Sequence, residues 1–295
     1  MQRALPTGAE RSAEPDVPYC ADALLPPTRE LLASAGWRLM EKLGEGGSSE
    51  VWCALDARGR SVALKIPRAN VPPHEAFSRL EREHEMLAAA RHGHIVATYG
   101  LVEHRGVCAL ALQYLPGGDL VALAGTQPRH WLRAAQAVHG ALAHLHGLGL
   151  AHRDVKARNV LFDARGRATL IDFASALPLG VTAQSGGTTA AHARSGRAPI
   201  VAAEDDAYAY AVLLYELFAG RLPYGSSGRP AKQVGTRLGL PWRGARKGPT
   251  GALAARVRDV LEADSARAPG LSVFADVLES AVTAELEPAE SPAES

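Results

Sequence analysis

Cysteine, methionine and aromatic side chains are all scarce: 3 Cys, 3 Met and 5% Phe, Trp and Tyr in 295 residues. Cys20, Cys53 and Cys108 are odd in number and far apart, and none of them pair at metal-ligand spacing. That excludes a disulfide scaffold and a cysteine metal cluster, and fits a reducing, cytoplasmic compartment. Cys53 and Cys108 sit in apolar strand-like runs and read as core thiols. No charge dominates either, with 32 Lys and Arg against 31 Asp and Glu for a net charge of +1. This excludes a broad field for nucleic acid or a membrane surface, and the basic run Arg243 to Lys247 reads as a solvated loop. Long hydrophobic runs are missing too. The longest, Ala207 to Ala219, contains three tyrosines and a glutamate and reads as a buried helix rather than a membrane span. Pro6, Glu10, Glu14, Pro15 and Asp16 break up the N-terminus, so no signal peptide is expected.

What is present is 47% hydrophobic residues, enough for a sizeable core. Residues 1–35 are rich in Pro, Ala and charge and read as a flexible arm, with a short helix at Arg29 to Ala35. Residues 284–295 read as a disordered acidic tail. Between them, strand-like runs come first: Trp37–Leu43, Glu50–Leu55, Ser61–Ile66, Ile95–Val102 and Val107–Tyr114. A helical stretch from His74 to Arg91 interrupts them, with Leu80, Glu83 and Leu87 on one face. From Leu120 onward helical periodicity takes over, as in Trp131 to Gly147. No internal repeat is visible. The expected fold class is α+β and bilobal: a small β-rich lobe with one main helix, a connector, and a larger helical lobe.

Five segments carry chemistry. Leu43-Gly44-Glu45-Gly46-Gly47-Ser48-Ser49-Glu50-Val51 lies between two strands, so it is a hairpin whose glycines let backbone amides approach phosphate oxygens. A plain glycine turn would look the same, but a dinucleotide-binding turn would need a helix after it. In Val62-Ala63-Leu64-Lys65-Ile66, alternation puts Ala63 and Lys65 on one face. An adenine could lie on the Ala63 methyl with phosphates at the ammonium, although taken alone a solvent-facing lysine is the more ordinary reading of such a strand. Glu83 points inward with Leu80 and Leu87 and needs a partner, for which Lys65 is the natural choice. The segment His152-Arg153-Asp154-Val155-Lys156-Ala157-Arg158-Asn159 is far more specific. Its carboxylate can accept a proton from an attacking hydroxyl, its lysine can neutralise a phosphoryl group in transit, and its asparagine offers a metal an uncharged oxygen. Asp172, in Leu170-Ile171-Asp172-Phe173-Ala174, is a second oxygen ligand 13 residues later.

In order and interval these segments resemble the protein kinase signature set, and most closely the bacterial serine/threonine kinases of eukaryotic type. The match runs from about Trp37 to Val282. The resemblance implies a kinase unit at 36–283, with a small lobe at 36–112, a hinge at 113–119 and a large lobe at 120–283. It implies ATP with Mg²⁺ or Mn²⁺ as cofactors and the Ser/Thr hydroxyls of proteins as acceptors. Leu43, Gly44, Gly46, Gly47 and Ser49 would cover the phosphates, and Val51, Ala63 and Leu161 would sandwich the adenine. Leu112 would be the gatekeeper, Gln113 and Leu115 would present backbone groups to the base, and Asp119 would lie near the ribose. Lys65, held by Glu83, would contact the α- and β-phosphates. Asp154 would orient the substrate hydroxyl, Lys156 would stabilise the γ-phosphoryl, and Asn159 and Asp172 would bind the metal. Leu87, Phe173, His152 and a residue near Thr98 would form an inner stack anchored by Asp206, and Lys156 speaks for Ser/Thr over Tyr specificity.

The departures lie downstream. Ser49 replaces the third glycine of the phosphate loop, and Ala174 replaces the glycine after Asp172-Phe173, which should restrict a flip of that pair. Gly187-Thr188 fits the expected pair, but Thr189 stands where proline is usual. An Ala-Pro-Glu is absent near Ala193-Arg194-Ser195, which leaves Arg267 to pair with Glu204 or face solvent. Thr182, Ser185, Thr188 and Thr189 are candidate autophosphorylation sites, with Arg153 placed to hold a phosphate and a second copy as partner in dimerisation. The rival reading is a pseudokinase, a nucleotide-binding scaffold on the same fold. A small-molecule phosphotransferase is disfavoured by the intact Lys156 and the Gly-Thr pair.

Overall fold

The computed structural model describes residues 26–183, 200–223, 248–263 and 269–286. Cys20, Ser185, Thr188, Thr189, Ala193 to Ser195, Arg243 to Lys247, Arg267 and the end of the tail lie outside them.

Five antiparallel strands form the small lobe: β1 (Arg38–Glu45), β2 (Ser49–Leu55), β3 (Ser61–Pro67), β4 (Thr98–His104) and β5 (Val107–Gln113), in the order β1-β2-β3-β5-β4. β3 sits in the middle and is buried on both faces from Val62 to Ile66. The turn before it is fixed locally. Asp56 Oδ1 accepts the N–H groups of Arg58 and Arg60 (both 2.9 Å), and Gly59 supplies a positive φ of 74°. The hairpin of β7 (Val160–Phe162) and β8 (Ala168–Leu170) repeats the device with Asp163, Arg165, Arg167 and Gly166 at φ 74°.

The expected short helix is α1 (Pro26–Ser34), a little earlier than Arg29 to Ala35. It packs on the outer face of the sheet. Leu32 is fully buried among Leu39, Trp52, Ala54, Val62, Leu64, Ile66, Ala109 and Ala111, and Ser34 Oγ lies 2.9 Å from His104 Nε2. Without that cover a wide apolar sheet face would meet water. On the inner side lies α2 (Pro73–Ala89), whose buried residues Ala76, Leu80, Glu83 and Leu87 keep helical spacing.

One strand is displaced from its sequence expectation. Ile95 and Val96 belong to the α2–β4 connection, not to β4. They are buried because Val96 N–H donates to the Leu170 carbonyl (3.0 Å) and Leu170 N–H to the His94 carbonyl (2.8 Å). A short apolar run carries no period that would tell a strand from a buried connector.

The large lobe contains α3 (Leu132–Gly147), α4 (Ala203–Ala219), α5 (Pro249–Glu262) and α6 (Ala275–Leu286). α4 is apolar nearly all round and central, as its composition foretells, and its Tyr210 hydroxyl donates to the Ala135 carbonyl of α3 (2.9 Å). β6 (Leu150–Ala151) pairs with β9 (Leu177–Pro178) where the lobe meets the segment after Asp172. Among the described residues no helix is long and apolar enough to cross a membrane.

Candidate active site

Glu83 and Lys65 meet because β3 and α2 turn opposite faces to the same core. Lys65 Nζ donates to both carboxylate oxygens of Glu83 (2.7 and 2.7 Å) and to Asp172 Oδ1 (3.1 Å). Burial pulls the Lys65 ammonium down, but the two carboxylates outweigh it and hold the pKa above its ordinary value. Burial pushes the Glu83 carboxyl up, and Lys65 offsets this only in part. Asp172 is also pushed up by burial, yet Lys65 first and then His152 and Lys156 leave it lowered overall. A cavity of about 780 Å³ opens beside this group, between Ser48 and Ser49 of the glycine hairpin, α2, and Phe173 to Ser175.

Asp206 builds the second half of the site. It is completely buried in the first turn of α4. Its carboxylate accepts the backbone N–H groups of His152 and Arg153 (2.8 and 2.8 Å), and His146 Nε2 is 2.9 Å away. This grip holds Arg153 at φ 66°, a conformation rare for a residue with a side chain, and so sets the direction of Asp154. His152 Nε2 faces the Ile171 carbonyl (3.0 Å) while its Nδ1 accepts the Asp154 N–H (3.2 Å). The ring is therefore the tautomer protonated on Nε2. Phe173 meets it edge-on at 4.8 Å, which gives the expected inner stack two of its members, and Leu87 is buried in the same core. Thr98, at the start of β4, shares a hydrogen bond with His84 Nδ1 on α2 (2.8 Å).

Asp154 Oδ2 receives Lys156 Nζ (2.6 Å) and Asn159 Nδ2 (2.9 Å), and Asn159 Nδ2 also donates to the Asp154 carbonyl (2.8 Å). Both amide hydrogens are thus committed, and the oxygen of Asn159 is left to point elsewhere. Ile171 N–H donates to the Asn159 carbonyl (2.9 Å), which brings Asp172 next to Asn159. One amide oxygen and one carboxylate held ionised by cations form a hard-oxygen donor pair of the type Mg²⁺ or Mn²⁺ prefers. No group of three His, Cys, Asp or Glu side chains among the described residues is arranged for a metal; the Asn159–Asp172 pair is a candidate on its donor chemistry alone.

The remaining expected residues lie on β2, β3, β5, β7 and the segment that joins the two lobes. Val51 is paired with Lys65 across β2 and β3, Ala63 with Leu112 across β3 and β5, and Asp119 bridges to Leu161. Gln113 N–H donates to the Ala97 carbonyl (2.8 Å), so that donor is not among the groups the hinge can offer. Leu115 is buried. Gly117 donates to the Phe162 carbonyl (2.8 Å), and a Cβ there would come within 2.6 Å of the Phe162 side chain, so only glycine fits this closure. At the hairpin tip, Gly46 N–H donates to the Ser49 carbonyl (2.8 Å), Gly44 and Gly47 leave open space, and Leu43 is exposed. The sequence reading missed two partners. His146 is one, and its only signal was a histidine near the end of α3. The other is the charge network of the hairpin, in which Glu45 accepts from Lys42 (2.6 Å) and pairs with Arg68 (2.7 Å).

Ala174 lies exposed in a 3-10 turn (Phe173–Ser175) and is not among the residues with positive φ. Alanine thus fits this state without strain. Ala174→Gly is expected to lower stability by about 0.5–1 kcal/mol through added backbone freedom, seen as a small fall in melting temperature with faster amide exchange at residues 172–175.

A family model described as a protein kinase domain matches residues 37–238. The serine/threonine-protein kinase PrkC of Bacillus subtilis is 28% identical over 209 residues, 65% of this chain and 31% of PrkC. A serine/threonine-protein kinase PknA of Corynebacterium glutamicum is 31% identical over 211 residues, 65% of this chain and 45% of that protein. The CBL-interacting protein kinase 4 of Oryza sativa is 33% identical over 208 residues, 65% of this chain and 46% of its own length. The chain thus spans less than half the length of these relatives.

Proposed function

The chain belongs to the protein kinase domain family, and we propose that it is a serine/threonine protein kinase that moves the γ-phosphoryl group of ATP, with Mg²⁺ or Mn²⁺, onto protein hydroxyls. The observation that carries this reading is the arrangement around Asp154. Among the described residues, both side-chain contacts to its carboxylate fall on Oδ2, and Oδ1 is the oxygen that would meet an incoming hydroxyl. Asp154 orients that hydroxyl and takes its proton as the new oxygen–phosphorus bond forms and the bond to the β-phosphate oxygen breaks, releasing ADP. Lys156, already 2.6 Å from Asp154, lies where it can neutralise charge on the group in transit. Lys65, fixed by Glu83, holds the α- and β-phosphates, while the amides from Gly44 to Ser49 cover them and Val51, Ala63 and Leu161 enclose the adenine. Asn159 and Asp172 would hold the metal, which when bound supplies neutralising charge at the phosphate oxygens.

Autophosphorylation in the segment after Asp172 is part of the proposal, with a second copy of the chain as transient partner. Thr182 is exposed there, and Ser185, Thr188 and Thr189 follow. The free thiols Cys53 and Cys108 support a cytoplasmic setting. Ala174 favours one competing reading, a nucleotide-binding scaffold that has given up turnover. Incubating the purified chain with γ-labelled ATP, Mg²⁺ and a generic basic protein, followed by phosphopeptide mapping, separates the two. Labelled serine or threonine is the expected result. Nucleotide binding without any label would leave the scaffold standing and the kinase reading overturned.

A further inference from the structure

The α2–β4 connection contains a group of side chains that the proposed chemistry does not use. His92 and His94 lie on it, and His144 comes from α3. The His92 and His144 rings are stacked, with centroids 5.1 Å apart at 23°, and the His94 ring tilts against His92 at 5.7 Å. His94 N–H donates to His92 Nδ1 (3.2 Å), which therefore carries a lone pair. His94 Nδ1 is 2.8 Å from the Ala168 carbonyl and so donates to it. With the two backbone bonds between this connection and Leu170 (2.8 and 3.0 Å), β8 is held at three points. β8 ends two residues before Asp172, and the other end of the connection is α2, which carries Glu83.

We propose that His94 is a positioning residue for Asp172, and that the stacked His92–His144 pair is the acid-sensitive latch that keeps His94 seated on β8. The proposal rests on the reading of Asp172 as a metal ligand. The latch follows from the surroundings of the rings. Among the described residues, the ionisable groups acting on His92 are His144 from α3 and His94 from its own connection, with no carboxylate among them. β8 presents the uncharged Ala168 carbonyl, and α3 approaches through Gly140, where a Cβ would stand 4.0 Å from His92 Cε1. Of the nearby cations, Arg91 is exposed and Arg167 is engaged by Asp163 (2.8 Å). The other α3 histidines face away from the stack, His146 to Asp206 and His139 to the Leu271 carbonyl. Among the described residues, His144 Nε2 is buried without a hydrogen-bond partner. Burial first, then the neighbouring imidazoles, lowers the His92 pKa. A histidine depressed in the folded state adds stability that is complete above the ordinary imidazole value of about 6.5 and is lost as pH falls through the folded value. Acid thus loosens the connection, and with it the register of Asp172 against Glu83.

Three measurements test this. Proton NMR titration of the nucleotide-free chain should show His92 titrating below a free imidazole. Amide exchange at residues 92–97 and 168–172, corrected for intrinsic rates, should rise about three- to tenfold from pH 7.5 to 5.5. In turnover, the KM for Mg²⁺ should rise by a similar factor over the same range while staying nearly flat in His144→Phe, which keeps a stacking ring without a proton. His94→Ala should show the raised KM already at pH 7.5. A His92 that titrates like free imidazole, or exchange that ignores pH, overturns the latch, and both are read without catalysis or a variant that must fold. A chain that exchanges as expected but transfers no phosphoryl group leaves the latch intact and removes the kinase reading instead.

Discussion

Asp154→Asn is expected to cut phosphoryl transfer by about 10³-fold while changing nucleotide affinity by less than about threefold. The asymmetry follows from geometry. Asp154 touches Lys156 and Asn159 through Oδ2, and an asparagine can offer the same oxygen to both. What it loses is the capacity to accept a proton. The loop itself should not move, because its backbone is held from below by Asp206 and not by the Asp154 side chain. Steady-state transfer assays alongside equilibrium binding of a fluorescent nucleotide check both halves. Equal loss of binding and turnover would mean that Asp154 shapes the site instead of acting in the reaction.

The second large effect is on stability. Lys65→Met removes the counter-charge of a carboxylate that is only 3% exposed. Breaking such a buried pair costs about 3–5 kcal/mol, a large part of the stability of an ordinary domain. The deficit should depend on pH with a definite sign. The Glu83 pKa is already raised by burial, and without Lys65 it rises further. The neutral form is then the one the fold tolerates, so the variant is worst at neutral pH and recovers towards wild type as pH falls through the raised Glu83 value. Lys65→Met with Glu83→Leu should regain much of the loss, because two apolar residues leave no charge unpaired. Urea unfolding at pH 7.5 and 5 gives the comparison, and a deficit that grows on acidification would contradict this account.

The clustering of Asp154, Lys156 and Asn159 was readable in the sequence because it is local. Asp154, Lys156 and Asn159 act within a stretch of six residues, and residue type with spacing nearly determines what they can touch. Glu83 was readable for a different reason: a carboxylate on an apolar helical face must find a cation. The clasp of Asp206 on the backbone of His152 and Arg153 needed the fold, since donors and acceptor stand more than fifty positions apart. The same holds for the meeting of His92 with His144. Ile95 and Val96 misled because burial between lobes and burial in a sheet call for the same side chains. The expected departures from the kinase signature at Thr189 and near Ala193-Arg194-Ser195 lie outside the described residues.

α1 also bears on where a fragment of this protein can be cut. The kinase family match begins at residue 37, after the helix has ended at Ser34. A fragment trimmed to the match would keep every residue assigned to chemistry and still lay Trp52, Val62 and Leu64 open to solvent. Such a bare sheet face is an adhesive surface, prone to self-association. A fragment meant to keep that face covered therefore starts near Pro26, and the portion that defines kinship is smaller than the portion that closes over its own sheet.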